Sequence, residues 1–184
     1  MPKRTDTRDR VVRTAADLFR AQGYHATGLN QVLSEGGAPK GSLYFHFPGG
    51  KEQLAVEAVA LSGEDLRTSL TATLDAEPDA AKALARVVEL LGAGLAASDF
   101  RAGCPITTVA LDAAADSEPI RVACADAYDS WQRAIADRVG DEDAATAVLA
   151  AIEGALILAR TRRSLAPLHA VAARLGALLE RPAP

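Results

Sequence analysis

Between positions 40 and 51 the chain gathers two cations, a hydroxyl, a phenol and an imidazole: Lys40, Ser42, Tyr44, His46 and Lys51. Positive charges and hydrogen-bond donors of this kind hold phosphate oxygens, which fixes register on a nucleic acid without reading its sequence. Other chemistry has less to work with. The cysteines are Cys104 and Cys124, and the histidines are His25, His46 and His169, none near Cys104 in sequence. No metal-ligand spacing, phosphate loop or paired-carboxylate pattern is present, so no cofactor, metal or catalytic residue is expected. A thiol hydrolase built on Cys104 would lack a neighbouring base.

The elements around the cluster explain how it is presented. Segment 23–54 reads GYHATGLNQVLSEGGAPKGSLYFHFPGGKEQL: a short helix, a Gly36-Gly37 turn, a second short helix and a Pro48-Gly49-Gly50 stop. Two short helices across a glycine turn make a helix-turn-helix, whose second helix enters the major groove of DNA. Ahead of it, Val12, Ala15, Ala16 and Phe19 form one stripe of a first helix, expected to start at a Thr7 cap and stop at Gly23. Thr27 is expected to cap the second helix and to face the DNA, and Pro39 to open the third. Lys3, Arg4, Arg8 and Arg10 form an N-terminal arm suited to phosphates or a minor groove; a solvated terminus is the plain alternative.

Net charge is −4, yet it is unevenly spread. Residues 1–54 hold Lys3, Arg4, Arg8, Arg10, Arg13, Arg20, Lys40 and Lys51 against Asp6, Asp9, Asp17, Glu35 and Glu52, a net of +3 that leaves −7 for the rest. Phosphate attraction needs only the local field, because salt screens charges beyond ~10 Å.

Alanine and leucine dominate, aromatics are 4%, and no alternating apolar run of strand length occurs, so the fold is expected to be all-α with about nine helices. Further helices are expected from Lys51 to about Leu74, from Asp79 to near Ser98, from Pro105 to Ala115, from Ser117 to Gly140, from an Asp141 cap to about Ser164, and from Ala166 to near Glu180. The division expected is a DNA-binding domain at 1–50 and a ligand-binding and dimerisation domain at 51–184. No charged stretch followed by an apolar signal core opens the chain, and a cytoplasmic protein is expected. The apolar run 144–159 contains Thr146 and Glu153 and falls short of the ~20 residues of a membrane span.

The eighth helix is apolar nearly all round (Val148, Leu149, Ile152, Ala155, Leu156, Ile157), and the ninth carries Leu168, Val171, Ala172, Leu175, Leu178 and Leu179 as one stripe. A homodimer through helices at about 141–164 and 166–180 would bury both. Candidate lining for a mostly apolar effector is Leu66, Leu70, Phe100, Cys104, Thr107, Thr108, Leu111, Tyr128, Trp131 and Ile152. Glu153 could meet a cationic ligand, solvent or a dimer partner. Cys104, expected at the start of the sixth helix, suggests a redox switch or a small buried hydrophobe.

The run TRDRVVRTAADLFRAQGYHATGLNQVLSEGGAPKGSLYFHFPGGKEQL resembles the DNA-binding domain of the TetR family of repressors. It carries in order an AADLF-x3-GY segment, the glycine turn, GSLYFHF and the Lys-Glu-x-Leu start of the next helix. PGGKEQL and the later GCPITTVALDAA resemble the LmrA/YxaF-like branch. One departure is Ala38, where many members place a Ser or Thr cap.

The resemblance implies a homodimer, a two-fold symmetric operator and a small effector that releases DNA. It also implies that Ser42, Tyr44 and Lys51 contact phosphates. Lys40 and Gly41 would open the recognition helix, with Lys40 reaching guanine, Gly41 allowing close approach, and Asn30 a second base reader. His46 would meet a phosphate or cap the helix. Leu43, Phe45 and Phe47 are expected in the core. A ligand-responsive repressor is therefore the leading reading, with a thiol redox sensor or an activator on the same fold as alternatives.

Overall fold

A computed structural model of the protein describes residues 4–179, of which 4–6, 40 and 176–179 by backbone alone. Among the described residues it is all-helical: α1 (Arg4–Gln22), α2 (Leu29–Glu35), a 3₁₀ turn (Lys40–Ser42), α3 (Leu43–His46), α4 (Gly50–Asp75), α5 (Ala80–Ala97), α6 (Thr107–Ala113), α7 (Glu118–Val139), α8 (Glu142–Arg162) and α9 (Ala166–Leu179).

The expected Asp141 cap forms, and Asp79, expected only to open its helix, makes another. Asp79 accepts from the Lys82 amide at 2.8 Å and Asp141 from the Ala144 amide at 2.9 Å, so each carboxylate satisfies an amide that lacks a helical partner. Others do not. α1 begins at Arg4, ahead of Thr7, which stands inside the helix. Gly28 precedes α2, and the third element opens as a 3₁₀ turn with Pro39 before it, not as its first residue. α6 begins at Thr107, leaving Cys104 in the preceding loop, buried and away from any helix start.

The chain divides into two compact units, residues 1–65 with 105–127 and residues 66–104 with 128–184. These differ from a cut at 50/51, because α6 and the first half of α7 fold with the N-terminal residues. In the first unit α1 packs on α2 and α6, burying Val11, Ala15 and Phe19. Thr108 donates to the Arg20 carbonyl at 3.4 Å, and His25 Nε2 lies 2.8 Å from the Asp112 carbonyl. Gly23, at φ +91°, lies so close to Asp112 that a Cβ would fall 2.3 Å from its Oδ2.

In the second unit α5, α8 and α9 pack together. α5 turns Ala83, Leu84, Val87, Val88 and Leu95 inward, and α8 turns Ala145, Val148, Ile152, Ala155, Leu156 and Ala159 inward. A Cβ on Gly92 would meet Leu168 at 3.4 Å, which records how near α9 approaches. α5 and α8 both end through non-glycine residues in the left-handed region, Asp99 and Phe100 after α5 and Arg163 after α8. Arg163 and Asp99 are also ion-paired at 2.6 Å, so the two exits hold each other.

Candidate nucleic-acid interface

The turn between α2 and α3 is built by two glycines with different tasks. Gly37 has φ +64°, and the Ala38 amide reaches back to the Leu33 carbonyl at 2.9 Å, the closure of a Schellman motif that favours glycine at its left-handed position. Gly36 is needed for space: a Cβ there would sit 3.0 Å from the Val32 carbonyl oxygen and 3.4 Å from Val11 Cα of α1. Side chains tie the corner down. Gln22 Nε2 donates to Thr27 Oγ1 at 3.2 Å and to Gln31 Oε1 at 2.9 Å, and Gln31 donates to Glu35 at 3.0 Å.

Thr27 is thereby withdrawn from both of its expected roles. It is 1% exposed, and its hydroxyl donates to the Gly23 carbonyl at 2.6 Å, so it neither caps α2 nor faces outward. Asn30, by contrast, is exposed on the first turn of α2.

α3 is a single helical turn fastened from beneath. Leu43 and Phe47 are buried, and the Phe47 amide closes on the Leu43 carbonyl at 2.6 Å. Gly41 is exposed, with nothing within 4 Å of the position its Cβ would take. Tyr44 is 70% exposed. Phe45, expected in the core, is 63% exposed, because two residues on from buried Leu43 a helix has turned to its opposite side. His46 is half-buried between the rings of Phe45 at 5.1 Å and Phe47 at 6.3 Å. Ser42 donates its hydroxyl to the Pro39 carbonyl at 2.7 Å, and no side chain caps the start of the 3₁₀ turn or of α3. Of Lys40 only the backbone is described, in the 3₁₀ turn; the side chain of Arg4 lies outside the described residues, as does Lys3 altogether.

At the start of α4, Lys51 places its ammonium 4.5 Å from the centroid of the Tyr24 ring. Burial lowers the Lys51 pKa, and burial followed by the nearby Glu52 charge raises that of Tyr24. Glu52 accepts from the Ser117 hydroxyl at 2.7 Å, so the residue just before α7 grips the same turn. Tyr24 is a partner that sequence reasoning passed over; the only trace of it was an aromatic directly after the stop glycine.

Two cations of the expected arm have structural work instead. Arg8 donates to Glu57 at 2.6 Å and stacks 5.1 Å from the Phe47 centroid, and Arg10 reaches the Gly36 carbonyl at 3.4 Å. Both tie α1 to its neighbours.

This arrangement, a short anchored helix with an open first turn and polar groups at its margins, is a nucleic-acid-binding head. Family models match over most of the chain: residues 11–58 match bacterial regulatory proteins of the tetR family, and residues 80–174 match the C-terminal domain of LmrA/YxaF-like transcriptional regulators. The HTH-type transcriptional regulator LmrA of Bacillus subtilis is 36% identical over 184 residues, covering 96% of this chain and 98% of that one. The chain belongs to the TetR family.

TetR-family proteins are DNA-binding transcriptional regulators and not enzymes. A TetR transcriptional regulator from Chloroflexus aurantiacus superposes with TM-score 0.80 at 27% identity, over 96% of each chain. The regulator CifR, as a cysteine mutant complexed with 26-base-pair double-strand operator DNA, superposes with TM-score 0.79 at 25% identity, over 92% of this chain and 94% of that one.

The residues expected to line an effector site divide between the two units of this TetR-family chain. Leu66, Leu70, Phe100, Cys104, Tyr128, Trp131 and Ile152 belong to the second unit, and Thr107, Thr108 and Leu111 to the first. Trp131 is 2% exposed and meets Tyr128 edge-on at 5.4 Å. Leu70, Cys104 and Ile152 are buried, whereas Leu111 is 76% exposed. Glu153 is half-buried. Both cysteines are buried and neither is in a disulfide, and burial pushes the Cys124 thiol up to about 11.

Proposed function

We propose that the protein is a homodimeric repressor of the cytoplasm, binding a palindromic operator through two copies of the head and released by a small, mostly apolar effector. The observation that carries this reading is α3, held from below by Leu43 and Phe47 while Gly41 and Tyr44 face solvent. In this reading residues 1–50, together with Lys51 at the start of α4, make the DNA contacts, and the rest of 51–184 binds the effector and the second subunit.

Tyr44, Ser42 and Lys51 hold phosphates, His46 supports them at the end of α3, Arg4 adds a contact from the arm, and Lys40, Gly41 and Asn30 face the bases. Ser42 must turn its hydroxyl away from Pro39 to donate. Repression follows from occupancy: a protein on its operator excludes polymerase.

Support for the dimer comes from the outward face of α8. Ala147, Ala150, Ile157 and Leu158 are exposed at helical spacing, Ile157 by 48% and Leu158 by 46%. Gly154 lies in the same stripe and has nothing within 4 Å of where its Cβ would be, leaving room for a second backbone. On α9, Ala170 and Ala173 are exposed. Two such helices from each subunit make a four-helix seam.

Apolar side chains with a tyrosine hydroxyl and an indole suit an effector that is mostly hydrocarbon with one or two polar groups. α4 and α7 are the helices with residues in both units, and they would carry its effect. A 10- to 100-fold loss of operator affinity requires a coupling of only ~1.4–2.7 kcal/mol.

The test is enrichment of duplexes from a random pool by the full-length protein at low salt. The expected product is a palindrome with half-site centres about one helical turn apart, ~34–36 Å. Enrichment of no sequence, or of one without two-fold symmetry, refutes the proposal.

A further inference from the structure

We propose that Phe45 is a sequence-reading residue, seated on the C5 methyl group of a thymine in the major groove of the operator. The inference rests on the DNA-binding reading above and adds a base contact to it. Phe45 is 63% exposed on a helix whose anchors, Leu43 and Phe47, are 4% and 0% exposed, so the exposure belongs to a fixed element. The ring packs edge-on against His46 at 5.1 Å and 78°, which sets its orientation.

Phe45 stands about one turn after Gly41, and the position of the missing Gly41 Cβ has nothing within 4 Å. Gly41 itself adds no side chain on that edge. Tyr44 goes the other way: its Cε1 lies 3.7 Å from where a Gly50 Cβ would be, at the start of α4 beside Lys51. The hydroxyl-bearing aromatic thus leans toward the phosphate-holding margin, and the purely apolar one faces the side of the open first turn.

A phenyl ring has no donor or acceptor with which to bond a phosphate or a base edge. The apolar group that a major groove offers is the thymine methyl, and shielding it from water favours T·A over the other pairs at that step. The deoxyribose face is the competing apolar surface, and it carries no sequence information.

The test uses the full-length protein, the duplex it enriches from a random pool, and the same duplex with 2′-deoxyuridine replacing one thymine of each half-site in turn. At one position the missing methyl is expected to lower wild-type affinity about four-fold per half-site. Phe45→Ala should lower affinity for the unmodified duplex by at least as much and become indifferent to deoxyuridine at that position alone. Phe45→Leu should keep a partial response there, which separates lost contact from a folding defect.

Independent, multiplying effects of Phe45→Ala and deoxyuridine at every position would overturn the inference. So would a weakened Phe45→Ala protein binding an operator that shows no deoxyuridine response, the signature of a sugar contact. If the wild-type protein retains no unmodified duplex, the DNA-binding reading fails first and takes this one with it.

Discussion

Lys51 carries its charge over the face of the Tyr24 ring, an interaction of about 0.5–1 kcal/mol at a partly exposed site. The ring holds the long side chain in one place before any phosphate arrives, reducing the rotamer entropy lost on binding. Lys51→Ala should therefore weaken binding to all duplexes alike. The dependence of log affinity on log salt should become shallower by about one unit per subunit, and an unchanged slope would remove Lys51 from the phosphate contacts. Lys51 was legible in the sequence through the Lys-Glu-x-Leu start of a helix after a glycine stop. Tyr24 and Phe45 were not. A helix of one turn is too short to show a period, so nothing in LYFHF distinguishes the buried Phe47 from the exposed Phe45.

At the scale of elements, long helices announced themselves, and their ends did so where a side chain makes the cap or a glycine such as Gly23 or Gly140 stops the helix. Asp79 and Asp141 are such ends; Thr7 and Thr27 have the right chemistry, yet α1 extends past one and the Gly23 carbonyl takes the hydroxyl of the other. The glycine turn was legible, but its division of labour was not, since the demand on Gly36 comes from how closely the Val32 carbonyl of α2, and behind it α1, approach the turn. Gly37→Ala meets no clash and should cost only the left-handed conformation, about 1 kcal/mol of unfolding free energy in denaturant titration, with Gly37→Asn costing less. Equal stability of both variants and the wild type would contradict that turn geometry.

α7 carries a second prediction. Burial raises the Cys124 thiol from an ordinary 9.0 to about 11, so the folded protein keeps its proton when the unfolded chain has lost it. The resulting stability is full below about pH 9 and is lost as pH rises toward 11. The thermal midpoint should fall across that window, more steeply than in Cys124→Ala. Parallel curves would show that Cys124 contributes nothing to it.

For the whole molecule, charge and hydrophobicity assign different work to different parts. The first 54 residues carry +3 and the rest −7, which directs an approaching polyanion to the head. The exposed apolar face of α8 belongs to the other task. Ile157→Glu with Leu158→Glu places like charges in the proposed seam and should shift the protein from dimer to monomer in sedimentation at micromolar concentration, abolishing operator retention. A variant that stays dimeric would place the seam elsewhere.

The interleaving of the two units has a practical side for anyone building hybrid regulators. Because residues 105–127 fold with 1–65, a recombinant head joined to a foreign sensor at residue 50 or 65 would leave behind α6, the carbonyl that receives His25 and the hydroxyl that grips Glu52. Exchangeable cassettes in this protein are discontinuous in the gene, and three crossovers, after residues 65, 104 and 127, are needed to transplant either of them intact.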